Sequence, residues 1–80
     1  MQKEHTLLSM NREANVGDAI LFERNEQSYK GTVFLVRENS VLVDISKSAA
    51  KELGYDKPNT VVRHGKYLII EQSEKVLVLQ

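Results

Sequence analysis

The sequence predicts a small, mainly β domain that folds as a barrel of five or six short strands. Short runs of valine, leucine and isoleucine recur along the chain between polar turns, which is typical of closely spaced strands. The four glycines are widely separated and fall at the boundaries of these runs. With 80 residues, the chain has room for one domain.

A hairpin is the clearest element of the chain. Its two strands are predicted near Gly31–Arg37 and Ser40–Ile45, around a turn at Glu38-Asn39. The later strand alternates apolar and polar residues, which is typical of a strand with one buried face. The earlier strand contains the apolar run Val33–Val36. We therefore expect both of its faces to be covered, as in a small closed barrel.

Three further strands complete the predicted sheet. A turn at Gly17-Asp18 leads into the first strand, because glycine permits a tight bend and aspartate can cap nearby backbone N–H groups. The polar stretch Glu23–Tyr29 predicts a loop. The other two strands are predicted around Gly65, at Thr60–His64 and Lys66–Ile70.

One short helical turn is predicted near residues 47–53. Ser46 or Ser48 can cap its start, and Gly54 can end it. A helix of this length is not stable alone, so we expect Leu53 to hold it against the sheet.

The predicted organisation has three parts. Residues 1–15 lack periodicity and are expected to form a mobile N-terminal arm. Residues 16–70 form the barrel, and residues 71–80 form a C-terminal strand or edge extension. The apolar run Val76-Leu77-Val78-Leu79 either closes the barrel as a sixth strand or pairs with another copy of the chain.

Strands of this number and length, with one helical turn, are typical of an SH3-like barrel. An OB-fold, which usually has longer strands, is the neighbouring alternative. The hairpin resembles the KOW motif, since Lys30-Gly31-Thr32-Val33 matches its glycine opening and Val41-Leu42-Val43 its closing strand.

The span from Val16 to Ile70 resembles the small YkvS-like bacterial proteins of unknown function, through Glu38-Asn39-Ser40-Val41 and Thr60-Val61-Val62. These resemblances imply an SH3-like barrel with a KOW-type core. KOW domains commonly bind RNA or proteins. The resemblance supplies no catalytic residues.

Composition argues against catalysis and against export. The chain has no cysteine, so thiolate chemistry is excluded, and His5 and His64 have no neighbouring ligand pattern. We expect no metal, no cofactor and no enzymatic activity. The N-terminus lacks a signal-peptide pattern, and no run is long enough to cross a membrane. A cytoplasmic location is therefore expected.

Two binding functions remain. Basic residues interleaved with tyrosines suit RNA or a ribonucleoprotein, because cations bind phosphates and rings stack on bases. The candidate nucleic-acid-binding residues are Lys30, Lys57, Arg63, His64 and Lys66. The alternative is a protein-interaction or self-associating module, in which barrel edges and the segment Val76–Leu79 pair with a protein partner or form a homodimer. The net charge of zero argues against strong, non-specific binding of nucleic acid and favours the alternative, but it does not exclude a local basic patch.

Overall fold

The computed structural model describes residues 12–73, which form five strands and one helix. The strands are β1 (Ala19–Arg24), β2 (Gln27–Val36), β3 (Ser40–Asp44), β4 (Asn59–Arg63) and β5 (Tyr67–Glu71), and the helix is α1 (Lys47–Leu53). The prediction of a mainly β domain with one short helix is confirmed. The segment Val76–Leu79 and most of the predicted N-terminal arm lie outside the described residues.

All five strands belong to one antiparallel sheet with the order β4-β3-β2-β1-β5. β4 and β5 lie at opposite edges of this sheet, although only His64-Gly65-Lys66 separates them in the chain. A connection this short requires the two edges to approach each other, so the sheet curls as in a barrel. Within residues 12–73 the hydrogen-bonded sheet remains open between β4 and β5.

The core lies on the inner face of the curled sheet. Ile20, Val33, Val41 and Val43 are almost completely buried. The aromatic residues Phe22, Tyr29 and Tyr67 line the same face, since they pair in register across β1, β2 and β5. The alternation predicted for β3 is confirmed, because both buried valines of that strand point inward.

Arg24 joins β1 to β4 across the inside of the sheet. Its guanidinium donates to the Tyr55 hydroxyl, to Thr60 Oγ1 at 3.3 Å and to the Val61 carbonyl at 3.0 Å. It also lies over the Phe22 ring, 5.2 Å from the centroid. Because two strands separate β1 from β4 in the sheet, these bonds hold the sheet in its curled form.

The predicted loop at Glu23–Tyr29 is wrong. β1 continues to Arg24, and a two-residue turn at Asn25-Glu26 leads directly into β2. Both turn residues have positive φ, 55° and 67°, as a tight hairpin with the right-handed twist requires. Asparagine tolerates positive φ, but the second residue of such a turn is usually glycine. Here that residue is Glu26, so the sequence lacks the usual signal of a hairpin.

β2 is longer and more exposed than predicted. It starts at Gln27 rather than near Gly31, and the prediction that both faces of Val33–Val36 are covered is wrong. Only Val33 is buried, while Phe34 and Leu35 are each 41% exposed. The register shifts between Val33 and Leu35, and this bulge leaves Phe34 and Leu35 on the solvent side.

The helix forms where the sequence predicts it. The Ser46 side chain accepts a hydrogen bond from Ala49 N at 3.0 Å, and Gly54 ends the helix in the left-handed conformation with φ 77°. Ala50 is buried, and Leu53 packs against the core cluster. Packing against the sheet therefore supports a helix that is too short to be stable alone.

Asp18 fastens three segments together at one end of the domain. Its carboxylate accepts hydrogen bonds from Arg12 Nη2 (3.0 Å), Asn15 N (2.8 Å) and Ser73 N (2.7 Å). Asp18 is 1% exposed, so the predicted capping aspartate is a buried, fully bonded group.

The last residues of the predicted N-terminal arm are packed. Ala14 is 1% exposed within the core, and its N–H donates to the Tyr67 hydroxyl at 3.0 Å. Residues 12–15 therefore belong to the folded domain, because Asp18 and Tyr67 provide bonds that the sequence pattern does not show.

Candidate functional site

The structure distributes the predicted basic residues over three places. Lys30 pairs with Leu21 of β1, whereas Arg63 pairs with Ser40 of β3, so they lie on different halves of the sheet. Lys66 lies in the β4–β5 turn, where its N–H donates to the Arg63 carbonyl. Lys57 follows α1 and lies apart from the others.

His64 is held by hydrogen bonds on both ring nitrogens. Nε2 lies 2.9 Å from the Arg37 carbonyl, and Nδ1 lies 2.7 Å from the Tyr67 hydroxyl. A carbonyl only accepts, so Nε2 carries a proton, and in the neutral ring Nδ1 accepts from Tyr67. These bonds join the β2–β3 and β4–β5 turns. The ring therefore has a structural role that the sequence does not reveal.

Three lysines surround a shallow depression beside α1. Lys47 and Lys51 are one helical turn apart, and Lys57 follows in the loop. The depression has a volume of about 300 Å³, and Tyr55 forms part of its wall together with one acidic residue, Asp56. Sequence analysis identified Lys57 here but missed the two helical lysines, whose spacing of four residues was the available signal.

Tyr29 links β2 to α1 by donating its hydroxyl proton to Glu52 Oε1 at 3.0 Å. The pKa of Tyr29 is raised above its ordinary value, first by desolvation and then by the bond to the Glu52 carboxylate. The hydroxyl therefore stays protonated and continues to donate at neutral pH.

A group of exposed apolar side chains lies on the outer face of the sheet. Leu35 of β2, Leu42 of β3 and Val61 of β4 are adjacent in register and form one row across three strands. Phe34 adjoins this row at the bulge. We call these four residues the outer apolar row. Leu35 and Val61 are 41% and 49% exposed.

Polar residues border the outer apolar row on both sides. Thr32, Asp44 and Asn59 pair in one flanking row, and Ser40 pairs with Arg63 in the other. An apolar centre with a polar rim is the usual anatomy of a protein-binding surface. The outer apolar row can bury apolar area against a partner, and its polar border can form hydrogen bonds.

Two further observations concern the ionisable side chains of the described residues. Residues 12–73 contain no group of three histidine, cysteine, aspartate or glutamate side chains placed to hold a metal ion. The buried carboxylate of Asp18 is occupied by three donors. The helix of the described region is too short and too polar to span a membrane.

These features define a small, mainly β domain with an exposed apolar row on the outer face of its sheet. Residues 12–70 match a bacterial family described as "Uncharacterized protein conserved in bacteria (DUF2187)". The match covers most of the chain, so the protein belongs to this family. No curated protein and no solved structure shows a significant match.

Proposed function

We propose that this protein is a non-enzymatic cytoplasmic module that binds another polypeptide through the outer apolar row. The single observation that carries the proposal is the register of Leu35, Leu42 and Val61, which places apolar side chains side by side on an outer face. The inner face already holds a core of its own. Apolar side chains grouped on an outer face commonly mark an interaction surface.

The resemblance to YkvS-like proteins and to the KOW motif agrees with this proposal. Under it, the hairpin of β2 and β3 is a KOW-type core within an SH3-like barrel. Gly31 opens this hairpin, and the two strands of the hairpin supply residues of both the inner core and the outer apolar row. Proteins are among the partners that KOW domains bind.

Photocrosslinking in bacterial cells tests the proposal. A photoreactive amino acid replaces Val61, and a matched chain carries it at Glu26 in the β1–β2 turn, away from the outer apolar row. We expect a discrete protein adduct from position 61 and none from position 26. Leu42→Asp should reduce the adduct several-fold, because it places a charge at the centre of the row. Equal adducts from both positions, or an adduct insensitive to Leu42→Asp, would contradict the proposal.

Nucleic-acid binding is a second candidate function, favoured by the lysines around Tyr55. Lys47, Lys51 and Lys57 surround one depression and could neutralise adjacent phosphates. The other basic residues that the sequence analysis predicts are dispersed over the fold: Lys30, Arg63, His64 and Lys66. We therefore place the candidate nucleic-acid site around Lys51 and Lys57.

Titration of a short single-stranded RNA at low salt tests the second candidate. Amide shifts should cluster around residues 47–58 and weaken as salt is added. Lys51→Glu should abolish them, whereas Lys30→Glu, with the same change of charge, should leave them intact. Equal losses in both variants would indicate dependence on overall charge and would contradict a site at the depression.

A further inference from the structure

The border of the outer apolar row carries two charges of opposite sign on opposite flanks. Asp44 lies two residues beyond Leu42 on β3, and Arg63 lies two residues beyond Val61 on β4. Leu42 and Val61 pair in register, and their strands are antiparallel. The two charges therefore lie on opposite sides of the row, at equal distances from it along the strands.

Both charges are available to a partner. No ion pair within residues 12–73 involves Asp44 or Arg63, and both residues are exposed. The remaining members of the two flanks are uncharged: Thr32, Asn59 and Ser40. A polypeptide that covers the row therefore meets one acidic group on one flank and one basic group on the other.

A two-fold axis along the row makes this border complementary to itself. Such an axis places the row of one copy against the row of the other and exchanges the two flanks. Asp44 then meets the flank that carries Arg63 of the second copy, and symmetry repeats this contact on the other side. Packed sheets lie about 10 Å apart, and a long arginine side chain can extend across that gap toward a carboxylate.

We propose that a second copy of this chain occupies the outer apolar row. The symmetric dimer contains two ion pairs, each between Asp44 of one copy and Arg63 of the other. This inference rests on the proposed function, because it names the polypeptide that binds the row. The chain has a net charge of zero, so long-range repulsion between copies does not oppose the contact. The row spans three strands of the sheet, and an interface this small forms a dimer that dissociates on dilution.

Sedimentation equilibrium of the full chain tests the dimer. Because the association is weak, the samples extend to about 1 mM chain. We expect the mean mass to rise from one chain toward two. Leu35→Asp should keep the chain monomeric, whereas Leu68→Asp on β5, at a leucine of matched exposure (40% against 41%), should leave the dimer intact. A monomer at the highest concentration, or equal masses for the two variants, would overturn the proposal.

Charge reversal tests the contact between copies. Asp44→Arg places an arginine against Arg63 of the second copy, and Arg63→Asp places an aspartate against Asp44. Each variant alone should dimerise about ten-fold more weakly, because two like-charge contacts replace two attractive ones. An equimolar mixture of the two variants should recover the dimer, since each chain then supplies the charges that the other lacks. A mixture that associates no better than the separate variants would overturn the proposal.

Photocrosslinking from position 61 separates this inference from the proposed function. An adduct with the mass of two chains supports the second copy. An adduct with a different protein, from a chain that sediments as a monomer, would overturn the second copy and leave the proposed function in place. A monomer that forms no adduct from position 61 would overturn both.

Discussion

At the residue scale, Asp18 connects segments that lie far apart in the sequence. Its carboxylate receives donors from Arg12, Asn15 and Ser73, and the groups that it joins lie at the two ends of the described chain. A carboxylate can be buried when several donors form hydrogen bonds to its two oxygens. One side chain thus holds both ends of the domain against the sheet.

Asp18→Asn should destabilise the fold by about 2–4 kcal/mol. The amide offers one acceptor oxygen and turns an N–H₂ group toward at least one buried donor, which leaves donors unsatisfied. Urea unfolding gives the free-energy difference from the shift in midpoint at constant slope. Asp44→Asn, at an exposed carboxylate of β3, is the control and should change stability by less than about 0.5 kcal/mol. Equal effects of the two substitutions would contradict the role of Asp18.

At the scale of elements, the sequence predicts strongly patterned segments and misses those set by backbone geometry. α1 and the buried valines of β3 appear where the cap and the alternation place them. The β1–β2 turn was missed because Asn25-Glu26 carries positive φ without glycine. The bulge before Leu35 was missed because a register shift depends on both strands, and the apolar run alone cannot show it.

The hairpin of β2 and β3 depends on close contact at Gly31. A Cβ atom at this position would lie 2.9 Å from Val43 Cγ2 and 3.1 Å from the Asp44 carbonyl oxygen. Gly31→Ala should therefore destabilise the domain by about 1–3 kcal/mol, as overpacking does in a tight core. Urea unfolding measures the loss, and Thr32→Ala at an exposed neighbouring position is the control.

A double substitution separates overpacking from other effects of Gly31→Ala. Val43→Ala removes the methyl group that the new Cβ would meet. The combined loss in Gly31→Ala/Val43→Ala should be smaller than the sum of the two single losses, with a coupling of roughly 0.5–2 kcal/mol. Additive losses would show that contact with Val43 is not the cause.

At the scale of the whole molecule, the candidate sites depend on how the sheet curls. Sequence reasoning found Lys57 and the apolar residues but could not assign them to surfaces, because the outer apolar row arises from the register of three strands. It likewise grouped Lys30 with Arg63, although the sheet separates them. Proximity in the fold, rather than spacing in the chain, selects the residues that can act together.

Arg24 provides a direct test of the curled form. Arg24→Met keeps much of the apolar stem but removes the donors to Tyr55, Thr60 and the Val61 carbonyl. We expect a loss of about 1.5–3 kcal/mol, since these bonds have a charged donor. Arg24→Lys should recover little of it, because a single ammonium cannot reproduce the planar fork that reaches several acceptors.

Hydrogen exchange locates the effect of Arg24 within the molecule. If Arg24 holds β4 toward β1, Arg24→Met should accelerate exchange of the β4 amides more than that of the β1–β2 ladder, because β4 is an edge strand. Arg37→Met, at an exposed turn residue, should leave both unchanged. Uniform acceleration across the sheet would indicate general destabilisation and would contradict a specific bridge between β1 and β4. Faster exchange confined to β4 would show that the curl, and with it the position of Val61 in the outer apolar row, depends on this arginine.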